Sequence, residues 1–335
     1  MIVSNHAIEV IEIGEVREHP NADQLDVTTV WGWQCCVRRG DFAPGSKAVY
    51  VPPDFIVPTT RPEFAFLKRE NRDTERIRVK RLRGQLSQGL LIPWDGDEAV
   101  GTDVCEQLGI ERYEPPLRSI PGGEDLFIGG PSGLYTPKFD VENYQRYPGL
   151  FTAGEEVIIT EKIHGANARY VWADSKDGEP MLFCGSRTNW VMPGKPTPWW
   201  NAHKANPNIE MWCRRNPGEI LYGEVFGQVQ SLRYGAKSSQ IFFAAFAALD
   251  KNRWLEWDEL RDSCSRVGVP VVPVLYRGPF NETEAYAMAE QDSSWPGAIH
   301  EREGVVILPV PERVDLNIGR VILKMVSNRY LESGK

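Results

Sequence analysis

The sequence predicts an α+β protein in two parts, a small β-barrel followed by a larger domain that mixes strands and helices. Three observations carry this. Residues 1–115 hold short β-prone runs broken by Gly and Pro turns, with no long helical period. Residues 116–142 are rich in Pro and Gly, as in Glu114-Pro115-Pro116 and Pro121-Gly122-Gly123, and read as a linker. From residue 143 to 335, apolar strand-like runs alternate with segments of helical spacing.

Composition bounds the possibilities. A chain of 335 residues suits about two domains, and 41% hydrophobic content suits packed cores. No apolar run approaches the ~20 residues of a membrane span, so no membrane partner is expected. Met1-Ile2-Val3-Ser4-Asn5-His6 has no basic stretch before an apolar core, so no signal peptide is expected. The six cysteines, at 35, 36, 105, 184, 213 and 264, form no C-x-x-C pair. That argues against zinc and fits reduced thiols in a cytoplasmic protein. A formal charge of −8 disfavours nucleic acid on average, but a local basic stripe counts for more than the mean.

In the first part, Ile8–Ile13 is a candidate strand, and His19-Pro20-Asn21-Ala22-Asp23 is a turn leading into a second. Thr28–Val37 reads as a hairpin and Lys47–Val51 as another strand. Lys68–Arg83 holds eight basic residues against three acidic ones. Within it Arg76, Arg78 and Lys80 alternate with Ile77, Val79 and Arg81, so strand spacing puts the first three on one face. Such a face could track nucleic-acid phosphates, or could be a solvated edge strand protected by charge. Arg83–Pro93 reads as a turn and a closing strand.

In the second part, Phe139–Tyr144 opens the domain. Val157-Ile158-Ile159-Thr160-Glu161-Lys162 then brings a lysine to the end of an apolar strand, and Gly165 lets the chain turn back. A lysine in that position, if buried, is paired, neutral, or facing a ligand. Trp254, Trp257, Leu260 and Cys264 repeat at helical spacing, and Asn281-Glu282-Thr283-Glu284 is a helix start with an N-cap candidate.

The stretch Lys162-Ile163-His164-Gly165-Ala166-Asn167 resembles motif I of the RNA ligase 2-like branch of the covalent nucleotidyltransferases. Further segments follow in that family's order. Ser186-Arg187-Thr188 resembles its Arg-Thr segment, Tyr222-Gly223-Glu224 its motif III, and Phe242–Asp250 the motif whose aromatic stacks on the purine, here carried to Phe246. The family usually has Asp after that aromatic, where this chain has Ala247. Glu303-Gly304-Val305-Val306 resembles motif IV and Leu323-Lys324-Met325 motif V, with Val326 where many relatives have a second lysine. The His-Pro-Asn-Ala-Asp stretch is similar to the tRNA-binding type of OB-fold domain. The whole chain resembles the Deinococcus-type subgroup of RNA ligases.

The resemblance implies an adenylyltransferase domain of antiparallel sheets with flanking helices, behind an OB-fold-like barrel. It implies an ATP-dependent RNA ligase, acting as a monomer on RNA ends or nicked duplexes with RNA on the 3′-OH side. Lys162 would carry AMP, assisted by Lys324. ATP or AMP would meet Glu161, Ile163, His164, Asn167, Arg187, Glu224, Phe246, Glu303 and Lys324, and a divalent metal, Mg or Mn, would meet Glu224 and Glu303. Arg76, Arg78 and Lys80 would serve the nucleic acid. A DNA ligase, an RNA-capping guanylyltransferase, and an RNA-binding protein with a decayed ligase domain are the other readings.

Chemistry makes sense of these residue types. An ordinary lysine, with a pKa of ~10.4, is free amine in roughly one molecule per 10³ at neutral pH. Desolvation and a nearby cation favour the neutral nucleophile, and Lys324 and a metal would supply that positive field.

Overall fold

The computed structural model describes residues 8–113, 126–316 and 318–333. The part of the expected linker from 116 to 125, including Pro121-Gly122-Gly123, lies outside the described residues, as does Glu114-Pro115. The chain divides into two compact units, residues 1–115 with 145–148, and residues 116–144 with 149–333.

In the first unit, the Lys47–Val51 strand pairs antiparallel with Val10–Glu12 on one side and Leu90–Pro93 on the other. It is buried on both faces, because alternate residues enter different cores. Val49 and Val51 pack with Phe55, Val57, Phe64 and Leu108. Ala48 and Tyr50 pack with Ile11, Ile13, Cys35 and Val37. The expected hairpin forms between Leu25–Val30 and Trp33–Arg38. Trp31 and Gly32 turn it with φ of 49° and 87°, the left-handed pair that a two-residue hairpin loop requires.

The His-Pro-Asn turn is a staple within this unit. His19 Nδ1 accepts from the Asn21 N–H, so Nε2 carries the proton and donates to Leu82 O at 3.0 Å. The Asn21 amide donates to Arg83 O. The basic stripe, in contrast, is not one strand. Arg76 ends the Thr74–Arg76 strand, while Lys80 begins Lys80–Leu82 in a different sheet. Residues 77–79 between them belong to no strand, although Ile77 is buried and its N–H donates to Phe55 O. Arg76 is held by Asp54, with bonds of 3.0 and 2.6 Å, and lies 3.6 Å from the Tyr113 ring centroid. Arg78 and Lys80 are exposed.

The second unit contains a seven-stranded antiparallel sheet. In spatial order its strands are Phe127–Ile128, Trp190–Val191, Pro180–Gly185, Ala166–Asp174, Ile220–Gly227, Ile241–Asp250 and Arg253–Trp254. A five-stranded sheet runs Glu142–Asn143, Leu323–Val326, Gly304–Pro309, Glu156–Lys162 and Val274–Pro279. Only its first pairing is parallel.

The two sheets share cores. One holds Val171, Phe183, Ile220 and Tyr222 of the larger sheet together with Leu308 of the smaller and Ile322, just before its Leu323–Val326 strand. The larger sheet's other face is covered by the helices Pro198–Ala205 and Asn208–Arg215, which bury Trp199 and Trp212 against Tyr170 and Leu221. Of the helix expected from Trp254, Trp257, Leu260 and Cys264, the last three lie on Trp257–Ser265, capped by a reciprocal Glu256–Glu259 box, whereas Trp254 belongs to the strand Arg253–Trp254. The Asn281 cap holds the helix Glu282–Ala289. No helix among the described residues is long and apolar enough to cross a membrane.

Candidate active site

Strand register decides which side chains meet. Lys162 is paired with Gly304, and Gly304 with Val326; one step along, Thr160 is paired with Val306, and Val306 with Lys324. Directly paired residues share a face. Lys162, Lys324 and Val326 therefore lie on one face of the smaller sheet, with the side chain absent at Gly304 between them. On the larger sheet Asn167 is paired with Glu224, on the same face as Val171 and Tyr222, which enter the shared core. The two faces enclose the candidate site.

Two glycines make this approach possible. A Cβ on Gly165 would stand 2.3 Å from Val225 O, and one on Gly304 would stand 2.1 Å from Met325 O. After Lys162 the chain leaves its strand, and the His164 N–H donates to the buried Tyr234 hydroxyl at 2.7 Å. Tyr234 is held in turn by His300, whose Nε2 accepts from its N–H.

The lysine does not stand alone. Lys162 Nζ donates to Glu303 Oε1 at 2.6 Å, and His164 Nδ1 lies 3.5 Å from Glu303 Oε2. Burial works to raise the Glu303 carboxyl, but the Lys162 ammonium and the His164 imidazole outweigh it and hold it at about 2. Glu224 goes the other way. Burial, with the Glu303 charge nearby, pushes its carboxyl up to about 8, although Lys162 and the Gly165 N–H pull against the rise. Two carboxylates in one site are thus driven apart, and near neutral pH they carry about one negative charge against Lys162.

This has a consequence for stability. Glu224 binds its proton more tightly folded, at about 8, than at its ordinary 4.5. The folded state therefore holds the extra proton between those values, and the metal-free protein should lose stability as pH rises from about 4.5 to about 8. Glu224→Gln should flatten that slope, measured as melting temperature against pH. Parallel curves for the two proteins would show that the carboxyl titrates normally.

Other expected residues fall in different places. Phe246 is half-buried, 4.7 Å from the Phe139 ring. Register shifts beside it: Tyr222 pairs with Ala247 but Gly223 with Ala245, so Phe246 is the extra residue of a β-bulge. A bulge re-aims a side chain, and here it sets an aromatic between the Tyr222 and Gly223 pairings, against Phe139. Arg187 donates to Asp140 at 2.9 Å. The Glu161 side chain, in contrast, is turned away from the site. It is buried and accepts from Ser293 Oγ and the Ser294 N–H at 2.5 and 2.7 Å. The Ile163 side chain packs into the core.

Sequence reasoning missed three contributors: Tyr234, Ser231 and Tyr330. Ser231 Oγ lies 3.2 Å from His164 Nε2, and the Tyr330 hydroxyl, from the helix Asn328–Ser333, lies 3.2 Å from His164 Nδ1. Each is far from His164 in sequence and carries no local signal.

A divalent metal has a partial fit here. Among the described residues no three His, Cys, Asp or Glu side chains are grouped to hold an ion. Yet two buried acceptors of this site, Asn167 Oδ1 and Glu303 Oε2, have no hydrogen-bond partner. Two carboxylates and unpaired oxygens suit a hard cation that keeps water or phosphate oxygens as its remaining ligands.

Comparison with known proteins places this geometry. A family model described as RNA ligase matches residues 155–326, just over half of the chain. The chain belongs to the RNA ligase family. A model described as an OB-fold domain matches residues 7–94, ahead of the RNA ligase region. Among solved structures, Naegleria gruberi RNA ligase with pyrophosphate is 27% identical, with a TM-score of 0.81 and 99% of each chain covered. A mutant of that ligase with AMP and Mn is 26% identical, with a TM-score of 0.80, covering 98% of this chain and 99% of that one. A curated relative, a putative agmatine deiminase of Photobacterium profundum, is 33% identical over 89 residues, 27% of this chain. The match spans 23% of that relative's own length. The RNA ligase region contains Lys162, His164, Asn167, Arg187, Glu224, Phe246, Glu303 and Lys324, and ends at Val326.

Proposed function

We propose that this protein is an ATP-dependent RNA ligase that works through a covalent AMP on Lys162. The observation that carries the reading is the Lys162–Glu303 pair, 2.6 Å apart at the mouth of two facing sheets within the RNA ligase region. Likeness to Naegleria gruberi RNA ligase structures with ATP or AMP and Mn supports the same nucleotide and a divalent ion.

In the first step the Lys162 amine forms a P–N bond to the α-phosphorus of ATP, the bond to the β-phosphate oxygen breaks, and pyrophosphate leaves. The amine must first lose a proton, which passes to solvent, since an ammonium has no lone pair. While Glu303 accepts the short hydrogen bond from Nζ, a proton sits between the two groups. A carboxyl held at about 2 is also too weak a base to take that proton. Glu303 must therefore be drawn off Lys162 before attack. A divalent ion, when bound, supplies positive charge beside Glu303 and Glu224 and neutralises the α-phosphate. Lys324, on the same face, would meet that phosphate. Phe246 would stack on the purine, a contact worth roughly 1–3 kcal/mol.

AMP then passes to an RNA 5′-phosphate, and attack by a 3′-OH on that activated end releases AMP. We take nicks in duplexes with RNA on the 3′-OH side as the substrate, gripped with the help of the first unit. Intact-mass measurement after incubation with ATP and Mn is the test: one AMP should be added, and its complete absence would favour a decayed, non-catalytic domain. Labelling by GTP in place of ATP would instead favour a capping guanylyltransferase.

The stripe gives a separate prediction. Arg78 and Lys80 are exposed, whereas Arg76 is engaged by Asp54 and Tyr113. Arg78→Ala with Lys80→Ala should weaken RNA binding and flatten its log–log salt slope by about 1–2, one counterion or so per lost contact. Arg76→Ala should chiefly lower stability. An unchanged salt slope in the double variant would make the stripe an ordinary charged edge.

A further inference from the structure

We infer that Tyr330 is a positioning residue which, by occupying His164 Nδ1, keeps Glu303 Oε2 open to a cation. This rests on the ligase reading above for its consequence, though not for its geometry.

The contacts set up a competition. His164 Nδ1 has two oxygen neighbours, the Tyr330 hydroxyl at 3.2 Å and Glu303 Oε2 at 3.5 Å. Only the first is within hydrogen-bonding reach and geometry, and Glu303 Oε2 is buried with no hydrogen-bond partner. The ring's other nitrogen, Nε2, is taken by Ser231 Oγ. The imidazole is therefore held at both ends by hydroxyls, and Nδ1 attracts Glu303 Oε2 only from 3.5 Å, without a hydrogen bond of good geometry. The conclusion is the same whichever nitrogen bears the proton. If Nδ1 is protonated, it donates to Tyr330; if it is not, it accepts from Tyr330 and presents no donor to Glu303.

Leaving a buried carboxylate oxygen unpaired is costly, of the order of a lost charge-assisted hydrogen bond. A site that holds it open beside a second carboxylate is ready for a positive ligand. Tyr330 can maintain this because its helix is anchored independently. Glu290 accepts from Ser327 Oγ and from the Asn328 and Arg329 N–H groups at the start of Asn328–Ser333. Arg329 returns to Glu290 O and Asp292. The ring of Tyr330 also packs on that of His164, with centroids 5.3 Å apart.

Removing only the hydroxyl, Tyr330→Phe, keeps the ring packing and frees Nδ1 to bond Glu303. We expect the Mn concentration for half-maximal lysyl-AMP formation to rise roughly tenfold, the lower end of what losing an outer partner of a metal ligand does. The maximal rate at saturating Mn should stay within about threefold, because Tyr330 itself is not proposed to touch the reacting atoms. In a His164→Gln background, Tyr330→Phe should add nothing, since the competitor it restrains is gone. A crystal structure of metal-free Tyr330→Phe should show Nδ1 closed onto Oε2, from 3.5 Å to a hydrogen-bond length.

An unchanged Mn curve would overturn the proposal, as would a fall in maximal rate with the Mn curve unmoved. So would an effect of equal size with and without His164. The crystal structure keeps the geometry testable if the ligase reading itself fails: should wild type form no AMP adduct, a Nδ1–Oε2 distance unaltered in the variant would still refute the competition.

Discussion

Lys162→Ala and Lys162→Arg should both abolish the AMP adduct, a loss of roughly 10⁴-fold or more, as expected when a covalent nucleophile is removed. The two variants separate the amine's two roles. Arginine keeps a positive charge beside Glu303 and can bond it, but it is not deprotonated in proteins and cannot attack. Alanine removes nucleophile and partner together. Glu303 then loses the ammonium that helps hold it at about 2. A depressed carboxyl contributes stability above its ordinary value of 4.5 and loses it as pH falls through about 2. That contribution should shrink in Lys162→Ala and largely survive in Lys162→Arg. At neutral pH the alanine variant should therefore be the less stable of the two, by on the order of 1–3 kcal/mol, the cost of leaving a buried acceptor without its partner. Intact mass reads the first effect and thermal melting the second. An adduct on either variant, or one mapped to Lys324 in wild type, would move the nucleophile elsewhere.

What could be read from the sequence here was local. The run Val157–Lys162 is apolar, β-branched and closed by a glycine turn, and it forms the strand and turn it announces. The paired Leu25–Val30 and Trp33–Arg38 strands follow equally from period and turn chemistry. The basic stripe was local too, and it misled. Alternation at 76–80 does mark which side chains face solvent, but it cannot show that residues 77–79 leave the strand and that Arg76 and Lys80 join different sheets. The Lys162–Glu303 pair joins residues 141 apart in the chain, and His164–Tyr330 joins residues 166 apart. Such contacts are products of register among three strands and a helix, and no window of sequence contains them. The same is true of Glu161. Its place beside Lys162 suggests the site, but strand alternation sends its carboxylate to the opposite face, where Ser293 and Ser294 receive it.

Lys324→Ala should slow lysyl-AMP formation by about 10²-fold or more, the range for losing a contact to charge that develops in a transition state. The register gives the reason. Lys324 lies on the Lys162 face, separated from it by the Gly304–Pro309 strand, while the position in Lys162's own row is Val326. That row offers no second cation, so Lys324 is the charge this strand can bring to the α-phosphate. From the sequence, Lys324 would also be expected to help keep Lys162 neutral, so that its loss would raise the pH optimum. The structure argues for a smaller part. Glu303 is 2.6 Å from Lys162 Nζ, whereas Lys324 stands two strands away and one row off, its backbone roughly 12 Å from that of Lys162. Coulomb energy falls as 1/r, so the hydrogen-bonded carboxylate dominates the field at Lys162. The expected result is therefore a large fall in rate with the pH optimum moved by less than about 0.5, far short of what a tenfold change in proton affinity would produce. Lys324→Arg should recover part of the rate, because a cation returns to the phosphate. Val326→Ala should change little, since it removes only apolar packing. The pH–rate profiles of the four proteins decide between the two roles. A raised optimum in Lys324→Ala would mean that Lys324 tunes the nucleophile after all, and an undiminished rate would mean that it does not reach the phosphate.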